Sequence, residues 1–168
     1  LALEVSRRRA TEGEPGELFA ALSVVCRHGD SATFGPMLRS ADYSQPERAR
    51  AVVDALKYEL PDAWGERCVR AVSQSPGPLV SVLARVIGYR RVPQADGIVD
   101  AVSLSPEAQQ VDLLWAIGRT RPTTAPRAVR PLLRAANPSV REAAVRAGLR
   151  IHDPEAMAEL LSSSASPP

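Results

Sequence analysis

Five arginines and a tryptophan are the residues whose types and spacing best suit recognition chemistry. Arg127, Arg130 and Arg134 recur at intervals of three and four, and Arg67 and Arg70 stand three apart. On a helix such intervals place side chains on one face. A row of guanidinium forks there suits carboxylates, phosphates and aromatic rings. Trp64 precedes Arg67, and tryptophan and arginine anchor many protein interfaces. The bland alternatives are equally concrete: a charged stripe is what the solvated side of any amphipathic helix shows, and a tryptophan fills a core. Asp96 and Asp100 lie between the two basic groups and give a mixed surface, which suits a protein partner better than a nucleic-acid track.

Catalytic groupings are sparse. The only histidines, His28 and His152, precede Gly29-Asp30 and Asp153-Pro154. Both fall at turns where an imidazole near a helix C-terminus is favourable without catalytic purpose. Cys26, His28, Cys68 and a carboxylate are the one conceivable zinc set. Cys26 and His28 point to different helix faces, however, and neither cysteine has a ligand-pair spacing, so no metal site is expected and both thiols read as buried and reduced. Asp112 and Trp115, three apart, share a helix face. No glycine-rich phosphate loop, GxSxG or HExxH occurs. No cofactor is expected.

The elements that must position these residues follow from composition and period. The 168 residues are 45% hydrophobic but only 4% aromatic, which suits closely packed helices with small and aliphatic cores. Charge is nearly balanced, with 21 basic against 19 acidic residues and Lys57 the only lysine. That excludes the strongly basic class expected of nucleic-acid or anionic-lipid binders. No apolar run is long enough to span a bilayer and no secretory leader is recognisable, so the default is a reduced cytoplasmic protein. The chain opens at Leu1, not methionine, and is expected to be a piece of a longer protein.

Prolines mark the period. Pro15, Pro46, Pro76, Pro106 and Pro138 are 31, 30, 30 and 32 residues apart, and Pro61, Pro93, Pro122 and Pro154 fall between them, 32, 29 and 32 apart. Proline is tolerated in the first helical turn, whereas deeper it breaks a hydrogen bond, so each repeat reads as helix, turn, helix. Leu18, Leu22 and Val25 form a helical stripe, as do Val53, Leu56 and Leu60, then Leu79, Leu83 and Val86, and last Val140, Ala144, Ala147 and Ile151. Shorter stripes mark the second helices, among them Cys68 and Val72, Ile98 and Val102, and Met157 and Leu160. No hairpin can bury its stripe alone, and stacking them makes one core. Pro131, inside a second helix, predicts a late start or a kink there.

The stretch Val140-Arg141-Glu142-Ala143-Ala144-Val145-Arg146-Ala147, followed by Ile151-His152-Asp153-Pro154-Glu155-Ala156, resembles the HEAT-repeat family, in particular its bacterial HEAT-like branch. The resemblance implies an all-α, right-handed superhelix of about five hairpins. First helices would line its convex side and second helices its concave, partner-facing side. Pro15-Gly16-Glu17-Leu18-Phe19-Ala20-Ala21 with His28-Gly29-Asp30 resembles HEAT-like proteins associated with type VI secretion. HEAT-like DNA alkylation-repair glycosylases set an acidic residue beside aromatics, as Asp112 and Trp115 are set here, but in a basic groove that this composition lacks. A phycobilin-lyase branch also exists, and no residue here is suited to anchor a tetrapyrrole.

The expected organisation is the end of a preceding helix or a cap at 1–13, then repeats at 14–44, 45–75, 76–105, 106–137 and 138–161, then a disordered tail or linker at 162–168. The expected function is a non-enzymatic scaffold or adaptor that holds a protein partner on the concave face through Trp64, Arg67, Arg70, Arg127, Arg130 and Arg134. The alternative is a DNA-binding protein of the alkylation-repair glycosylase type. Fold analogy carries this inference, because no chemical site does.

Overall fold

The computed structural model describes Arg8, residues 13–75 and residues 77–165; the expectation for 1–13 and the repeat marker Pro76 fall largely or wholly outside them. Among the described residues there are ten α-helices and no strand. They are α1 (Pro15–His28), α2 (Ser31–Ser40), α3 (Pro46–Glu59), α4 (Gly65–Gln74), α5 (Leu79–Arg90), α6 (Gly97–Leu104), α7 (Glu107–Thr120), α8 (Pro126–Val129), α9 (Pro138–Arg150) and α10 (Pro154–Ala165). A 3-10 turn at Asp62–Trp64 leads into α4, and another at Arg130–Leu132 continues α8.

Local chemistry sets the starts. Proline occupies the first turn of α1, α3, α8 and α9, where no N–H partner exists to be lost. Asp30 caps α2 by accepting from the N–H groups of Ala32 (3.2 Å) and Thr33 (3.1 Å). Asn137 accepts from Ser139 at 2.9 Å, and Asp153 from Glu155 and Ala156 at 3.0 and 3.3 Å. Pro131 ends α8 after four residues and tightens the chain into the 3-10 turn, the interruption its position predicts. At the far end α10 runs on to Ala165, so the first residues of the expected tail are helical.

Four odd-numbered helices stop on a left-handed residue. It is Gly29 after α1 (φ +67°), but Arg91 after α5 (+49°), Arg121 after α7 (+53°) and His152 after α9 (+60°). After α1, α5 and α9 the next two N–H groups fold back three and five residues, as in Asp153 to Gly148 at 2.9 Å, which satisfies the terminal carbonyls. His152 is thus a backbone cap, and His28 is the last residue of α1.

The helices pack in sequential pairs. The odd-numbered helices α1, α3, α5, α7 and α9 lie side by side in chain order, while α4 packs on α6 and α6 on α8 as a second layer. Leu18, Leu56, Leu83, Ile98, Leu114 and Val129 are among the fully buried side chains of one continuous core. Glycines set the closest approaches: a Cβ at Gly88 would overlap the Trp115 ring, one at Gly118 would lie 3.2 Å from Ala147 Cα, and one at Gly148 would overlap the Cβ of Ala156. The stripe expected to bury α10, Met157 and Leu160, is not buried. Ala156 is buried, but Met157 and Leu160 are exposed, because no further helix follows α10 among the described residues to cover them.

Candidate functional site at the second helices

Between α2 and α4 the second layer opens into a groove of about 150 Å³. Phe34, Leu38, Cys68, Ala71, Leu79 and Leu83 make its apolar lining, and Ser31, Ser75 and the exposed side chains of Arg39 and Arg67 add polar groups to it. The sequence builds this locally. Asp30 fixes the start of α2, and the 3-10 turn after Pro61 swings Trp64 inward, where its ring meets Phe34 with centroids 4.8 Å apart. Trp64 is therefore only 6% exposed. The expected rim anchor is instead a core residue packed against Phe34, a correction whose cause is that turn.

Arg39 and Arg67 have no carboxylate or hydrogen-bonding partner among the described residues. The other arginines expected to form an open ridge are engaged. Arg70 sits 3.6 Å from Glu66 on the same helix. Arg127 faces Asp100 of α6 at 3.8 Å, Arg130 bonds Asp153 at 2.9 Å and Glu155 at 3.0 Å, and Arg134 reaches Glu159 at 3.3 Å. These three tie α8 and the turn that continues it to the helices on both sides. Hydrogen bonding to Asp153 raises the Arg130 pKa further above its already high value. Such half-solvated pairs are individually weak, yet an incoming anion must displace the resident carboxylate at each. At Arg39 and Arg67 nothing has to be displaced. The five-arginine ridge thus reduces to Arg67, joined by Arg39, which sequence spacing passed over because it stands alone in α2.

Asp96 is also structural. It accepts from Thr124 Oγ1 at 2.6 Å and from the Thr124 N–H at 3.2 Å, and these bonds hold its carboxyl below the ordinary range.

The residues considered for catalysis do not converge. Asp112 accepts from Arg85 Nε at 2.8 Å, and Trp115 lies over Gly88 with its ring 5.1 Å from that of Tyr89, so both belong to the first layer. Cys26 and Cys68 are buried, and burial is the main cause that pushes each thiol up to about 12. Among the described residues no three His, Cys, Asp or Glu side chains gather as a metal ion would require, and no helix is long and apolar enough to cross a membrane.

Sequence reasoning missed one further cluster. The Lys57 ammonium lies 4.9 Å from the ring centre of Tyr58 and 4.6 Å from that of Tyr89, and Tyr89 meets Trp115 edge to face. Three of the chain's seven aromatics thus form a band across α3, α5 and α7. The available signal was period, since Tyr58 and Tyr89 are one repeat apart. Comparison of the chain with protein-family models, with curated proteins and with solved structures finds no match.

Proposed function

We propose that the chain is a right-handed α-solenoid of about five HEAT-like hairpins and acts as a non-enzymatic scaffold, with a protein partner held on the face made by its second helices. The observation that carries this reading is the α2/α4 groove, where an apolar surface adjoins two arginines that have no partner among the described residues. Preformed apolar concavities with a few placed polar groups are where binding energy is available at least cost. A protein partner fits better than a nucleic acid, because Asp100, Glu155 and Glu159 neutralise Arg127, Arg130 and Arg134 and leave no run of free cations there for a phosphate backbone. Buried reduced thiols suit the cytoplasm.

The test is affinity capture from native extract with the wild type, with Arg39→Glu/Arg67→Glu, and with Tyr58→Ala/Tyr89→Ala in the first-layer band, alongside a duplex-DNA binding assay. A protein retained by the wild type and the tyrosine variant but lost by the arginine variant is the expected result. Retention by the arginine variant with loss in the tyrosine variant would move the interface to the first helices. Tight, salt-sensitive DNA binding without a protein partner would favour the repair-type alternative.

A further inference from the structure

Among the clefts on the surface of the described residues are four that differ in the charge around them. The cleft between α6 and α8 contains Asp100, that between α8 and α10 contains Glu155 and Glu159, and that between α7 and α9 contains Glu142. Of the four, the α2/α4 groove alone has no carboxylate in its lining, and it is also the one with two arginines lacking partners among the described residues. We infer that this groove takes one apolar side chain, no larger than a phenyl ring, of a peptide segment whose neighbouring carboxylate is clasped by Arg39 and Arg67. The inference rests on the scaffold reading and specifies its ligand.

Size and chemistry select the occupant. A cavity of about 150 Å³ accepts a group the size of benzene. The side chains of leucine, isoleucine, methionine and phenylalanine fit that measure and an indole does not. Phe34, Leu38, Ala71, Leu79 and Leu83 offer no hydrogen bond to a polar tip, and the lining's hydroxyls are confined to Ser31 and Ser75, so an apolar side chain is favoured. Specificity then comes from the rim. Arg39 folds back over Gly35, where an added Cβ would lie 3.4 Å from its Nη1, and Arg67 is itself one of the residues that line the groove. Two cations without a resident anion favour an acidic residue next to the anchor and disfavour a basic one.

The experiment selects binders from a random 12-residue peptide display library on the immobilised full chain. A selected peptide is then titrated into methyl-labelled protein. Arg39→Glu/Arg67→Glu and Ala71→Met, which fills the groove, are compared after circular dichroism shows each to be folded. The expected result is enrichment of Leu, Ile, Met or Phe with Asp or Glu within two positions, shifts of the Leu38, Leu79 and Leu83 methyls, and binding weakened at least tenfold in both variants and by added salt. Should Ala71→Met fail to fold, the charge variant and the methyl map decide alone. Peptides without an acidic residue, or binding undiminished by the charge variant, overturn the inference. If those peptides instead shift residues elsewhere on the second helices, the scaffold reading survives its loss. If no peptide is enriched, the groove inference falls, and the capture experiment judges the scaffold separately.

Discussion

Replacing Gly148 with alanine tests the close approach of α9 and α10. The added methyl would overlap the Cβ of Ala156 and lie 3.3 Å from Val129 Cγ1. Neither obstacle can rotate away, since one is attached to the α10 backbone and the other belongs to a fully buried valine. Overpacking of this kind costs about 1–3 kcal/mol, and a methyl fixed to backbone on both sides belongs at the upper end. Against it stands the helix-propensity gain of alanine over glycine, about 1 kcal/mol. The net is a destabilisation of about 2 kcal/mol, or a fall of about 4–8 °C in melting temperature for a chain of this size. Thermal and urea unfolding followed by circular dichroism read it. Gly16→Ala is the control, because a Cβ there meets nothing within 4 Å and should be neutral or stabilising. In an Ala156→Gly background, Gly148→Ala should lose most of its cost. A Gly148→Ala protein as stable as the wild type, or a cost that persists unchanged in the Ala156→Gly background, would refute the packing described for this hairpin.

Three further outcomes are expected. Arg91→Gly and His152→Gly should each raise stability by about 0.5–1 kcal/mol in urea unfolding, because a side chain in the left-handed region is disfavoured and glycine is not. An unchanged or lowered midpoint would count against the left-handed caps. Cys26 and Cys68 should resist iodoacetamide at pH 8 in the folded protein and react together once it is unfolded. Since burial raises both thiols from 9.0 to about 12, their contribution to stability is complete below pH 9 and is lost as pH rises towards 12, which an alkaline series of urea midpoints checks. Finally, Arg39→Glu/Arg67→Glu should leave the melting temperature unchanged, whereas Arg127→Glu/Arg130→Glu/Arg134→Glu should lower it by setting like charges against Asp100, Asp153 and Glu159. Equal melting temperatures for the two variants would contradict the division into free and engaged arginines.

Sequence alone determined the helical class, the rhythm of the helix pairs and most helix starts. The reason is that proline's missing donor and fixed φ act within one turn, and a stripe at intervals of three and four needs no knowledge of its partner. The interruption at Pro131 was legible on the same ground. What tertiary structure decided was every question about a side chain's company. Trp64 and Trp115 look alike in sequence, yet a 3-10 turn buries one beside Phe34 while the bare backbone of Gly88 on a neighbouring helix seats the other. Arg67 and Arg130 are equally good members of an arginine stripe, yet only Arg130 finds Asp153 and Glu155 across a helix junction. The left-handed caps at Arg91, Arg121 and His152 carried no glycine to announce them. Charge pairing and burial depend on residues some thirty positions away, brought near by the stacking of one repeat on the next, and local sequence holds no record of that distance.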